Sequence, residues 1–544
     1  MIARFVPTVL ALVLLALAAP GAAEEPTLSP AEGAGSGPML HGKLELSLAD
    51  AVAMGLENNL DVQVQRYSPI LSDYDQQIAW GVYDPELFTQ LLYSDVKRPT
   101  SSPLEGEDLV TDRNTAGFGG FRGILPLLST EYSAQFDGGR YLTDRNFEAL
   151  SPKLESSWSL RLTQPLLRDL IWNQPWTQVT TTRIVHEASL EDFRRAVMDA
   201  VRDIEGAYWT LIANDERFRV ARKSVETARA LLEQTQTQHE VGVVSKVEVT
   251  EAEAGLARRE FEVIVAQNQY RNQLDVLINL VLGPHLRAAS TLEIVPTDRP
   301  EDYVEYEVDV EAAVAMAFEN RPELEAARRE VERQVVRSKF AANQRLPELD
   351  GLLSFGRQGL AGFQKKDYDP CDLGFGDPPP GCPGLDVSQG EFGNTFDDYS
   401  DSPAFTAGVR FGIPIPNTSA RKQYSRTKME LRRAESLLRR QEQQVVLEVR
   451  ESARNLKASQ EGIASATRAL ASADEQLRAE RIRLEYGEST PFDVLQREEQ
   501  SVQAEVGLID AYRAYRVSAT SLDRNQGTIL RNRNIKIDQV RALR

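Results

Sequence analysis

The chain states one pattern twice, about 262 residues apart. Leu46-Ser47-Leu48-Ala49-Asp50-Ala51-Val52-Ala53-Met54-Gly55-Leu56-Glu57-Asn58 is answered by Val308-Asp309-Val310-Glu311-Ala312-Ala313-Val314-Ala315-Met316-Ala317-Phe318-Glu319-Asn320. The register continues without a gap to Pro85 and Leu87, matched by Pro347 and Leu349. A second echo closes each half. Glu240-Val241-Gly242-Val243-Val244-Ser245-Lys246-Val247-Glu248-Val249 is matched by Glu485-Tyr486-Gly487-Glu488-Ser489-Thr490-Pro491-Phe492-Asp493-Val494. A duplication this long implies two equivalent halves in one pseudo-symmetric unit, rather than several unrelated domains in 544 residues.

Residues 1–23 read as a secretory signal. Arg4 supplies the positive start, Phe5 to Ala18 the apolar run and Gly21-Ala22-Ala23 a small-residue cleavage site. That run is too short to span a bilayer, and no other stretch reaches the roughly 18 to 20 apolar residues a spanning helix needs. Membrane residence would therefore require strands or a lipid, and no Cys follows the cleavage site to carry one. The net charge of -19 makes the chain a poor partner for nucleic acid. Cys371 and Cys382 lie in a Gly- and Pro-rich stretch of an exported chain, where a disulfide staple is favoured over a metal or redox role.

Residues 24–43 have the composition of a linker. The first repeat, 44–283, opens with a helix: Leu48, Val52, Leu56 and Leu60 recur at helical spacing, with Ser47 and Asp50 as its start and a bend expected at Pro69. From Asp84 to Pro165 the pattern changes to alternating apolar residues rich in Gly, Ser and Thr. Long polar loops near 97–113 and 141–152 alternate with a short turn around Pro126, so four strands are predicted. Long loops on one side and tight turns on the other are a habit of outer-membrane barrels. After a connector at 284–307, the second repeat, 308–530, predicts only two strands, beginning at Leu349 and returning over Ala404–Ile413. The loop between them carries both cysteines. A basic tail, 531–544, closes the chain.

The bulk of each half is helix of unusual length. A helix from about 178 to 239 would measure roughly 90 Å and one from about 418 to 485 roughly 100 Å, too long to fold back into a compact globule. Gly242 and Gly487 suit left-handed helix stops. New helix starts follow at Ser245-x-x-Glu248 and at Thr490-Pro491-Phe492-Asp493. Each half thus ends in a long antiparallel hairpin with a tight tip.

Taken together, these features resemble the outer membrane efflux protein family, the TolC-like channels of Gram-negative envelopes. The resemblance rests on the duplicated opening, on Asn320-Arg321-Pro322-Glu323-Leu324, on Gln164-Pro165-Leu166-Leu167 and Ile413-Pro414-Ile415 at the strand exits, and on the two Gly-centred tips. It implies a mainly α chain with membrane β structure. Three copies would form a homotrimer whose β-barrel in outer-membrane lipid continues as a long α-helical barrel in the periplasm. The implied function is the passive exit duct of a tripartite efflux or export system, served by a periplasmic adaptor and an inner-membrane transporter, with no cofactor. A type I protein-secretion duct shares this fold, and a non-channel periplasmic coiled coil would share the helices. The family default of four strands per chain gives a twelve-stranded barrel, which is the expectation adopted. If all four strands of residues 84–163 enter, the count is eighteen.

Nothing in the sequence looks catalytic. His41, His186, His239 and His285 are scattered, and no nucleophile elbow or phosphate loop appears. The resemblance places Asp493 at a cation-selective pore constriction near the periplasmic entrance, with Glu248 as its counterpart and Gln496 where some members carry a second acid. The competing reading is that Asp493 and Glu248 only cap helices. It also places Val241, Gly242, Val243 and Ser245 with Tyr486, Gly487, Glu488 and Ser489 at the tips that meet an adaptor's helical hairpins.

Overall fold

A computed structural model describes residues 41–100, 109–126, 128–145, 148–283, 291–365 and 388–537. The expected signal, nearly all of the expected linker, the Cys371–Cys382 pair, His285 and the tail from 538 lie outside the described residues.

In chain order the elements are β1 (His41–Leu46), α1 (Leu48–Asn58), α2 (Leu60–Trp80), β2 (Glu86–Pro99), β3 (Leu109–Ile124), β4 (Glu131–Thr143) and β5 (Leu150–Pro165). Next come α3 (Gln174–Glu240), α4 (Lys246–Leu282), β6 (Thr291–Pro296), α5 (Val310–Asn320), α6 (Pro322–Asn343), β7 (Glu348–Gln364) and β8 (Ser388–Gln389). A 3-10 helix (Phe392–Ser400), β9 (Pro403–Gly412), α7 (Thr418–Glu485), α8 (Pro491–Asn525) and α9 (Ile529–Asn532) complete the chain. The duplication is visible element by element: α1 and α5 fall at matching positions of the repeat, and α3 and α7 are 67 and 68 residues long.

Two compact units cut across both repeats. One comprises Met1–Leu60, Asp203–Val304 and Gly462–Val517. The other comprises Asp61–Arg202, Glu305–Glu461 and Ser518–Arg544.

In the first unit β1, which straddles the expected boundary of linker and first repeat, pairs in parallel with β6, in the expected connector, as a two-stranded sheet. Tyr208, fully buried, holds it to α3: its hydroxyl stands 2.9 Å from the Leu46 carbonyl oxygen and 2.8 Å from Asp298 Oδ2. Asp298 Oδ2 also accepts the Leu48 N–H at 2.7 Å, satisfying one of the free donors at the start of α1. Ser47 caps the same helix by accepting from the Asp50 N–H at 3.2 Å. The helix breaks at Asn59, and Pro69 lies buried inside α2.

A glycine closes on the Glu-Asn end of each repeat. Gly283, with φ +47°, sits so near Asn58 in the first unit that a Cβ there would lie 2.2 Å from the Asn58 carbonyl oxygen. Gly527, with φ +78°, approaches Asn320 in the second unit, where a Cβ would lie 2.7 Å from the Asn320 carbonyl. Neither position admits a side chain without displacing backbone.

The second unit contains the large sheet, in the order β2-β3-β4-β5-β7 with β9 on the far side of β7. The four strands of the first half therefore do not split into two pairs. The expectation that the extra pair folds elsewhere fails, because β3 bonds to β4, β4 to β5 and β5 to β7 in one continuous sheet. The loops after β2 and β4 are also shorter than expected, because the ladders carry the strands on to Pro99 and Thr143. Paired residues share a face. One row across the sheet reads Leu87, Phe121, Ala134, Leu160, Phe355, Phe405, and the next reads Glu86, Arg122, Ser133, Arg161, Ser354, Thr406. One face is thus apolar and the other polar, the alternation of a barrel wall between lipid and water. Beyond Arg357, where β9 stops, the 3-10 helix covers β5 and β7: Thr395 Oγ1 lies 2.7 Å from Ser156 Oγ, and Phe396 stacks on Phe136.

Candidate functional site at the hairpin tips

Both hairpin tips belong to the first unit and are built by the same chemistry. At the end of α3 the Gly242 N–H bonds to the His239 carbonyl at 2.9 Å and the Val243 N–H to the Gln238 carbonyl at 2.8 Å. At the end of α7 Gly487 bonds to Leu484 at 3.1 Å and Glu488 to Arg483 at 2.9 Å. These are paired 6→1 and 5→2 bonds around a left-handed residue, with φ +81° at Gly242 and +73° at Gly487.

Each chain then restarts on a capping box. Ser245 Oγ accepts from the Glu248 N–H, while Glu248 Oε1 accepts from the Ser245 N–H at 3.2 Å. Thr490 Oγ1 accepts from the Asp493 N–H at 3.3 Å, and Asp493 Oδ2 accepts from the Thr490 N–H at 3.3 Å and from its hydroxyl at 2.7 Å. The caps expected from sequence are thus present, and the first duty of both acids is to close a helix. Those hydrogen bonds from Thr490 hold the Asp493 carboxyl below its ordinary range, so it is an anion at any physiological pH. Gln496, one turn on, is exposed.

The tips present apolar side chains to solvent. Val241 and Val243 are each 71% exposed and Tyr486 is 79% exposed, with Val247 and Phe492 close behind. Gly242, Ser245, Gly487 and Glu488 are exposed around them, and Ser489 is partly so. The hairpins touch: a Cβ on Gly255 of α4 would lie 3.2 Å from Leu495 Cδ1 of α8, and Arg258 reaches Glu499 at 3.6 Å. Behind Asp493 lies Glu498, which sequence reasoning missed. It is 4% exposed, and burial pushes its carboxyl up against the pull of Arg481 and Arg259. Acidic residues abound on these helices, so nothing in the sequence marks this one as buried. Among the described residues no group of three or more His, Cys, Asp or Glu could hold a metal ion.

Twin helical hairpins with exposed apolar tips, on a chain that also folds a sheet with one lipid-compatible face, define a membrane channel of duplicated architecture. The chain belongs to the outer membrane efflux protein family, whose profile matches residues 144–281 and 313–528, one block in each repeat. It is therefore an outer-membrane channel that reaches into the periplasm and serves as the exit duct of an efflux system, and its family is one of channels rather than enzymes.

Solved structures agree on the fold. The CmeC outer membrane channel of Campylobacter jejuni is 15% identical, with a TM-score of 0.60 over 89% of this chain and 86% of that one. VceC of Vibrio cholerae is 15% identical, with a TM-score of 0.60 over 88% and 96%. MtrE of Neisseria gonorrhoeae, solved in an open state, is 14% identical, with a TM-score of 0.59 over 89% of each. A comparison with curated proteins gives no match.

Proposed function

We propose that three copies of the chain form one passive, non-enzymatic duct. It receives solutes from an inner-membrane transporter through a periplasmic adaptor and releases them outside the cell. The observation that carries this reading is the sheet. Its apolar face suits lipid, yet β2 and β9 end it as edges within the chain. A strand edge facing hydrocarbon leaves backbone groups without partners, so the ring has to be closed by further copies.

Val241, Gly242, Val243 and Ser245 with Tyr486, Gly487, Glu488 and Ser489 form two small, exposed tips of one design. Such tips suit end-on docking of an adaptor's helical hairpin, with Tyr486 and the valines as apolar anchors. Asp493, with Glu248 as its counterpart on the first hairpin and Gln496 a turn further on, would form the narrow ring at the entrance. Three Asp493 anions about a common axis would attract cations and resist small anions.

The test is the mass and shape of the species extracted by detergent from outer membranes, measured by light scattering and negative-stain imaging. A particle of about three chains with a hollow end view is expected. A monomer or dimer overturns the reading.

A further inference from the structure

We infer that the outer-membrane barrel of this protein is closed by β2 of one copy against β9 of the next, giving eighteen strands and a porin-width exit. The inference rests on the trimeric reading above and deepens it. Three observations carry it, all within the sheet of the second unit.

The first is continuity. Six long strands are bonded in one unbroken path, so no strand pair is free to fold away from the wall. The second is direction and facing. With five antiparallel steps between them, β2 and β9 run in opposite senses, so a β9-to-β2 contact between copies is antiparallel too. Leu87 and Leu91 on β2 lie in rows of the same parity as Val409 and Phe411 on β9, so these apolar rows turn to one face at both edges.

The third is stagger. The row that starts at Glu86, the first residue of β2, reaches β9 at Thr406, six residues before its end at Gly412. Six residues of rise at about 3.3 Å over five steps of about 4.8 Å tilt the strands by about 40°, inside the range in which closed barrels are built. At that tilt eighteen strands enclose a backbone ring about 36 Å across, whereas twelve enclose one about 24 Å across. A wall of eighteen strands with a polar inner row leaves an aqueous channel. The exit would therefore pass cargo of larger cross-section than a twelve-stranded one.

Side-chain parity and the stagger limit the new seam to two registers, with Leu91 opposite Ala407 or opposite Val409 of the neighbouring copy. The experiment uses the full-length chain carrying Cys371→Ser and Cys382→Ser, oxidised in outer membranes. Leu91→Cys is combined with Ala407→Cys or with Val409→Cys. Ala134→Cys with Val409→Cys reports the seam expected if β2 and β3 left the wall. Covalent trimers from one of the Leu91 pairs, with none from the Ala134 pair, are expected. Trimers from the Ala134 pair, or a trimer by mass that cross-links through neither Leu91 pair, overturn the eighteen-stranded wall while leaving the trimer standing. A particle that is not a trimer by mass overturns both.

Discussion

Arg524 Nη2 and Glu323 Oε1 meet at 2.7 Å, with each side chain only 10% exposed. Glu323 also takes a bond from Arg321 at 3.1 Å, Arg321 reaches Glu448 at 2.5 Å, and Arg524 Nε reaches Asp199 at 2.7 Å. Two arginines and three acids thus join the start of α6 to α3, α7 and α8 within one unit. The second-repeat motif Asn320-Arg321-Pro322-Glu323-Leu324 supplies its centre: Pro322 starts the helix, while Arg321 and Glu323 face inward.

Glu323→Gln keeps the shape of the side chain and removes the charge between two buried guanidinium groups. Breaking a buried pair from one side costs about 3 to 5 kcal/mol, so a fall in thermal stability of that order is expected. The pH dependence follows from the same geometry. Burial alone would raise the Glu323 carboxyl, but the Arg321 hydrogen bond and the charges of Arg524 and Arg321 bring it below its ordinary 4.5. A depressed folded value stabilises the protein above the unfolded value and is lost as pH falls through the folded one. The wild-type chain should lose stability on acidification below about pH 4.5, and Glu323→Gln should flatten that loss. An unchanged acid profile in melting experiments would count against the network.

Glu498 predicts the opposite slope. Its buried carboxyl is raised, so the folded chain holds a proton that the unfolded chain gives up near the ordinary 4.5. The cost appears as pH rises above that point. Glu498→Gln should therefore melt higher than wild type at pH 7 to 8 and no higher at pH 4. Equal shifts at both pH values would mean that packing, not charge, sets the difference.

On the wall, Val409→Arg places a charge on the apolar face and Thr406→Arg places one on the polar face. The lipid-facing charge costs about 2 to 4 kcal/mol near the bilayer middle. Assembled channel in outer membranes, read as heat-modifiable protein on gels, should fall sharply for Val409→Arg and stay near wild type for Thr406→Arg. Equal losses would reject the assignment of faces.

The parts of this architecture written in local pattern were legible in the sequence. Gly242 and Gly487, with the Ser245 and Thr490 boxes, fix their hairpins within a few residues, because helix stops and caps are local events. Alternation over Phe88–Tyr93 and Ser157–Leu162 likewise marks strands. Three features depend on partners outside their own segment and left no such signal. The six-residue β1 gains meaning only from β6, some 250 positions later. Arg524 looks like any surface arginine until α8 is laid beside α6. The destination of β2 and β3 was decided by the β3-to-β4 pairing within one continuous sheet, which no single segment reveals.

Asp493 combines a structural duty with a proposed pore duty, and the two can be separated. Asp493→Asn keeps an oxygen to accept from the Thr490 N–H and hydroxyl, so the helix start survives while the anion is lost. Thr490→Ala removes the hydroxyl bonds and keeps the charge. If three Asp493 carboxylates ring the entrance, single channels in planar bilayers should be blocked by millimolar divalent cations. Because Thr490 holds this carboxyl below its ordinary 3.8, the block should persist down to about pH 4. Asp493→Asn should weaken the block at least tenfold, and Thr490→Ala should keep it near pH 7 while loosening the tip in hydrogen exchange. A block that survives in Asp493→Asn would leave this residue a helix cap alone.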